Sequence, residues 1–216
     1  MKHDRFLRLA VATIVLAGTL PAIAFAATHE PMRNHITLGF GYGRNLSDDF
    51  EDPELNLETG GIGQLAYRYS LNRSVDLCVD ARSFMAGDQA QIGVDGIFYE
   101  VDLSHDTSWF GPGVRWSSGE GGVRPYLQAN VFFVEEKTTI EILNVSEEQS
   151  NDGVGFGLAG GADIRLSRLL SLPLELSYLY GKPSGSDDFV ADISYSSDVS
   201  SLGMSVGLTF NFTPLP

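Results

Sequence analysis

Residues 202–212 read Leu-Gly-Met-Ser-Val-Gly-Leu-Thr-Phe-Asn-Phe, and every second one is large and apolar. Between Leu202, Met204, Val206, Leu208, Phe210 and Phe212 stand only Gly203, Ser205, Gly207, Thr209 and Asn211. A period of two sends successive side chains to opposite faces of an extended backbone, so this is a strand with one apolar face. The same period recurs upstream, through Ile36 to Tyr42, Leu65 to Tyr69, Val75 to Ala81 and Phe110 to Trp116. It continues through Leu127 to Phe133, Val154 to Ile164 and Leu172 to Tyr180. Eight amphipathic strands make the chain all-β.

A soluble sandwich also alternates, so the nature of each face decides between architectures. The apolar face carries no charge in any strand. The opposite face carries Arg68, Arg82, Arg115, Arg124 and Arg165 with Asp76, Asp80, Asp163 and Glu175. A barrel in lipid requires that division, apolar outward and polar inward, because a charge at the bilayer midplane costs roughly 2–4 kcal/mol. Backbone groups in hydrocarbon must also be paired, which demands a closed sheet. The connections agree. Leu71–Arg73, Ser118–Gly122 and Ser167–Leu170 are short, whereas 45–59, 85–106, 135–152 and 182–199 are long. Short turns at one end and long loops at the other are the layout of an outer-membrane barrel. The expected fold is an eight-stranded antiparallel transmembrane up-and-down β-barrel with short periplasmic turns and long extracellular loops.

On these residues the chain resembles the small eight-stranded outer-membrane β-barrel proteins, the group of opacity-protein, OmpX, OmpW and OmpA-transmembrane-domain types. Leu208-Thr209-Phe210-Asn211-Phe212 is similar to the aromatic last strand that the barrel assembly machinery reads in this family. Thr213-Pro214-Leu215-Pro216 departs from the pattern, in which the chain ends at the aromatic. The resemblance implies a monomer in the outer membrane of a Gram-negative bacterium, among outer-membrane lipid and lipopolysaccharide. It also brings in a subset of lipid-modifying barrels, so an acyl hydrolase or transferase has to be weighed.

The first 26 residues fit an export signal. Lys2, Arg5 and Arg8 precede an apolar run from Leu9 to Gly18, and Ala24-Phe25-Ala26 is a small-x-small cleavage site. The expected organisation is a cleaved signal peptide at 1–26, a short periplasmic leader at 27–34, the barrel at 35–212 and a tail at 213–216. Of 216 residues 43% are hydrophobic, and the net charge is −14. Cleavage removes three basic residues and Asp4, leaving −16. Such an acid excess opposes nucleic-acid binding, which needs clustered Lys and Arg. One cysteine, Cys78, excludes an internal disulfide framework or a Cys-based zinc cage.

The long connections hold 21 acidic residues against Lys137 and Lys182, so the outward end is strongly acidic. Carboxylates are hard oxygen ligands, but no EF-hand spacing is present and no metal or cofactor is expected. Catalysis needs a nucleophile with a base in reach. Ser104-His105-Asp106 supplies the letters of a triad, yet strand neighbours point to opposite faces and cannot align. His105 is expected at the start of a loop, and no catalytic residues are assigned. The inward charges are expected to form an ion-pair ladder, with Asp76, Asp80 and Arg82 on one strand facing Arg68 on the next. Eleven glycines are assigned inward (Gly39, Gly41, Gly43, Gly63, Gly111, Gly113, Gly155, Gly157, Gly161, Gly203 and Gly207), leaving room for water or for flat Arg chains. Pro112 removes a ladder hydrogen bond and favours a bulge.

Carrying each strand's inward parity into the long connections gives apolar positions: Ile97, Tyr99, Val101 and Leu103, then Ile140 and Ile142, then Phe189, Ala191, Ile193 and Tyr195. The barrel wall is therefore expected to continue as hairpins above the bilayer with an apolar interior. That interior is either a closed plug or an open mouth for a small hydrophobic ligand, with Ile97, Tyr99, Val101, Leu103, Ile140, Ile142, Phe189, Ile193 and Tyr195 lining it. The expected work is non-enzymatic: envelope integrity, surface interaction or uptake of a small hydrophobic molecule. The alternatives are a lipid-modifying enzyme and a host-surface adhesin, the latter placing activity on the loop tips.

Overall fold

The computed structural model of the chain describes residues 34–46, 58–94, 97–118, 122–142, 145–184 and 198–212, with side chains except at 90–94, 97–100, 147 and 184. The strands are β1 (Asn34–Asn45), β2 (Thr59–Ser70), β3 (Val75–Val94), β4 (Ile97–Ser117), β5 (Val123–Ile142), β6 (Val145–Arg165), β7 (Leu170–Ser184) and β8 (Val199–Phe212). Each pairs antiparallel with the next, and β8 closes on β1 to give one barrel. Opposite residues lead from His35 through Arg68, Cys78, Gly113, Asn130, Gly157, Leu179 and Ser201 back to β1 at Asn45. One circuit thus climbs ten residues, the distance from 35 to 45. That stagger over eight strands sets a tilt of about 40° and a bore only wide enough for side chains.

Local chemistry fixes the short turns. The Asn72 Oδ1 accepts hydrogen bonds from the amides of Ser74 and Val75 at 2.8 and 2.9 Å. The Ser167 Oγ accepts from the amides of Leu169 and Leu170 at 3.2 and 3.0 Å. Such side-chain mimics of a backbone turn hold a tight reversal without glycine. Pro112 does not make the bulge expected of it. Phe110 lies opposite Phe133 and Gly113 opposite Asn130, so β4 and β5 keep one register across the proline. The missing N–H interrupts two rungs and shifts nothing, because β3 stays in register on the other side, with Val79 opposite Pro112.

Two of the four long connections are mostly not loops. β3 and β4 pair continuously up to Val94 and Ile97, and β5 and β6 up to Ile142 and Val145. Outside, lipid-facing residues such as Met85, Phe133 and Val154 give way to Asp106, Glu135, Lys137 and Asp152. The strands above that line leave the bilayer and stand as a projecting four-stranded sheet. The other connections, 47–57 and 185–197, lie outside the described residues, as do the proposed signal peptide, the C-terminal tail and the leader except Asn34, which opens β1.

The buried set is inverted relative to a soluble core. Among the described residues, buried polar and charged side chains outnumber buried apolar ones, while Leu38, Phe40, Leu127, Val131 and Met204 are exposed. Lipid is the solvent on that face.

Candidate functional site

The lumen has two layers, and the lower one is polar. Arg82 sits between two carboxylates, with Nη2 2.7 Å from Asp80 Oδ2 and Nη1 2.7 Å from Glu175 Oε1. Asp80, fully buried, also accepts from Gln128 Nε2 at 2.9 Å, and the Tyr126 hydroxyl donates to Glu175 at 2.9 Å. A second group centres on Asp163, which takes Arg68 Nη1 at 3.4 Å and Arg115 Nη2. The Arg115 guanidinium stacks 3.3 Å over the centre of the Tyr126 ring, joining the two groups. Arg68 therefore reaches across the lumen to β6 rather than to Asp76 and Asp80 on the adjacent strand. Its other donations go to Thr37 and Thr209, each at 3.2 Å. Asp76 accepts from the Ser70 hydroxyl at 2.6 Å. Arg124 and Arg165 belong to the rim. Arg124 donates to the Arg73 carbonyl at 2.6 Å, and the exposed Arg165 donates to the Ser167 carbonyl at 3.3 Å.

The upper layer is apolar. Ile62, Phe84, Ala86, Trp109, Phe132, Val134, Leu179 and Val199 form one buried cluster, with Leu103 packed against it. Phe84, Trp109 and Phe132 are each 1% exposed, so the bore is closed at this level. The inward glycines make that closure possible. A Cβ on Gly157 would lie 2.5 Å from Phe132 Cε2, and one on Gly203 would lie 2.0 Å from Ile62 Cδ1. The space is thus filled by plug side chains, where the sequence suggested water or flat Arg chains. Gly63 is a correction of parity. Its neighbours Ile62 and Gln64 take the inner face of β2, so Gly63 faces outward. The plug was legible as a change within the strands themselves. The inner parity runs from Arg82 to Phe84, from Arg115 to Trp109 and from Gln128 to Phe132.

Above the plug lies His105, fully buried inside the barrel and not at the start of a loop. Its Nε2 is 3.0 Å from Thr107 Oγ1, its Nδ1 3.4 Å from Thr138 Oγ1 and 3.9 Å from Glu136 Oε1. Burial lowers its pKa to about 4, so the imidazole is neutral at pH 7. Hydroxyl, imidazole and carboxylate stand in the order of a hydrolase triad. The Thr107 hydroxyl is sealed, however, at 1% exposure. Ser104 and Asp106 point away from His105, as strand alternation requires.

Of the proposed mouth residues, Val101 is 2% exposed and Leu103 is partly buried, whereas Ile140 and Ile142 are 39% and 36% exposed. Val101 pairs with Ile142 and Leu103 with Ile140 across β4 and β5. The side chains of Ile97 and Tyr99 and all of Phe189, Ala191, Ile193 and Tyr195 lie outside the described residues. The described cavity nearby, about 570 Å³, is a polar groove lined by Asp88, Gln89, Asp102, Ser104, Thr139 and Glu141 with Gly87 and Leu103.

Residues 11–212 match the family described as outer membrane protein beta-barrel domain. The chain belongs to this family. Among solved structures it resembles Ail, the attachment invasion locus protein of Yersinia pestis, in complex with the heparin analogue sucrose octasulfate. The likeness has 16% identity and a TM-score of 0.55, covering 85% of this chain and 100% of that one. It also resembles neisserial surface protein A, at 14% identity and a TM-score of 0.51, covering 83% and 97%. Comparison with curated protein sequences finds no match. Membership in the outer-membrane barrel family places the chain in a Gram-negative outer membrane, its short turns toward the periplasm and its projecting sheet outside.

Proposed function

We propose that this barrel is a non-conducting, non-catalytic surface protein that presents the β3–β6 sheet to a partner outside the cell. The supporting observation is the pairing of a sealed bore with a projecting, acid-faced sheet. The outer faces of β4, β5 and β6 above the bilayer display Asp102, Asp106, Glu135, Glu141, Glu148 and Asp152 against Lys137. Such a surface attracts cationic groups and repels polyanions. Ail was solved with a polyanion; the charge here favours the opposite chemistry, a basic protein surface. The test uses the mature chain in nanodiscs. An oligolysine peptide should bind in a salt-sensitive way and lose affinity on D102N/E141Q/E148Q substitution, while sucrose octasulfate should not bind. Binding of the polyanion, or a triple variant that binds as the parent does, would contradict the reading.

A second reading rests on the half-open pairs Val101–Ile142 and Leu103–Ile140, an apolar shelf above the plug that a small hydrophobic molecule could cover. A hydrophobic dye should then fluoresce with the parent and less with I140S/I142S. No fluorescence with the parent would end this reading and leave the plug alone.

A further inference from the structure

The groove above the bilayer has its cause in the register. On the outer face of β3, β4 and β5, Gln89, Asp102 and Glu141 stand side by side in one row. Gly87, Ser104 and Thr139 form the row below, and Met85, Asp106 and Lys137 the next one toward the membrane. Small residues between rows of long ones leave a trench across three strands, about 10 Å long at the strand spacing of a sheet. Its floor and upper wall line the cavity of about 570 Å³. Packing does not demand the glycine. A Cβ at Gly87 would meet a single atom within 4 Å, the Leu103 carbonyl oxygen at 3.4 Å, which is an ordinary contact. At the lumen glycines Gly157 and Gly203, a Cβ would meet plug side chains at 2.5 and 2.0 Å instead. A strand glycine that no neighbour fills leaves room for a ligand.

The trench offers mixed hydrogen-bonding chemistry. Gln89 Nε2 donates to Asp102 Oδ1 at 2.7 Å, which orients both at the upper wall. Among the described residues, no hydrogen bond or ion pair engages the side chains of Ser104, Thr139 or Glu141. The two hydroxyls donate and accept, the carboxamide does both, and the carboxylates accept. A metal ion would use the acceptors alone and an ammonium the carboxylates alone. A polyol uses the whole set. The carboxylates also repel sulfate, phosphate and sialic-acid groups, so the polyol they admit carries no negative charge. We propose that the trench binds an uncharged saccharide presented from outside the cell, its hydroxyls shared between the Ser104–Thr139 floor and the Gln89–Asp102–Glu141 wall. This goes beyond the basic-partner reading, which needs the carboxylates but not the floor.

Single contacts of this kind are weak, so the test displays glycans densely on an array. The mature chain is applied in phosphatidylcholine nanodiscs, which hold no sugar of their own. Uncharged oligosaccharides should bind, and sulfated and sialylated forms should not. S104L/T139L fills the floor without changing charge, so the signal should fall about ten-fold, the loss of two hydrogen bonds. Gly87→Gln fills the trench from an exposed position and should lower the signal likewise; if the double variant fails to fold, it decides alone. Both variants should bind oligolysine as the parent does, which separates the trench from the acidic face. No uncharged glycan bound by the parent, equal binding of sulfated glycans, or undiminished binding by the folded variants overturns the proposal. Binding confined to amino sugars and displaced by oligolysine would also overturn it, leaving charge attraction alone.

Discussion

Arg82 holds two carboxylates from different strands, and both are buried. Replacing it by Met leaves Asp80 and Glu175 buried without their cation, a change that costs about 3–5 kcal/mol. Arg68→Met is the milder substitution, because Asp163 keeps Arg115. Urea unfolding in micelles should therefore rank the Arg82 variant well below the Arg68 variant; equal losses would refute this pairing. That ranking was not legible in the sequence, since parity names the inward charges but not the partner across a bore. His105 yields a second test. Its pKa is about 4 when folded and near 6.5 when unfolded, so the unfolded chain takes the proton first. Its share of stability is present above about pH 6.5 and is lost as the pH falls toward 4, on the order of 3 kcal/mol in all. His105→Gln should flatten unfolding curves across that window, and an unchanged acid response would place the titration elsewhere.

At the scale of the strand, parity carried the fold and the change from polar to apolar at the plug, and ran out at the packing inside it. Alternation and connection lengths alone implied eight strands, their order and the face toward lipid. They also implied hairpins standing above the bilayer, which β3–β4 and β5–β6 form. Pro112 misled because a proline excludes one donor but does not insert a residue, and a flanking strand in register absorbs the loss. The fit of large side chains over glycines was hidden for a different reason. It depends on the ten-residue stagger, which joins residues far apart in sequence, such as Ile62 and Gly203. Gly203→Ala should therefore cost about 1–3 kcal/mol by overpacking. Adding Ile62→Val removes the clashing Cδ1, so the double variant should be more stable than the sum of the single changes implies. Additive losses by thermal or urea unfolding would show that the two positions do not meet.

For the whole molecule the sealed bore separates this chain from channels of the same architecture. An ion network fills the lower lumen, an apolar layer closes the upper, and the polar sheet above adds height but no passage. The direct test is conductance of the purified mature protein in planar bilayers. Side chains that fill the bore of an eight-stranded barrel predict a silent membrane under voltage, with at most rare, small, short-lived openings. Stable channels of porin size would contradict the plug, and with it the reading of this barrel as a surface protein.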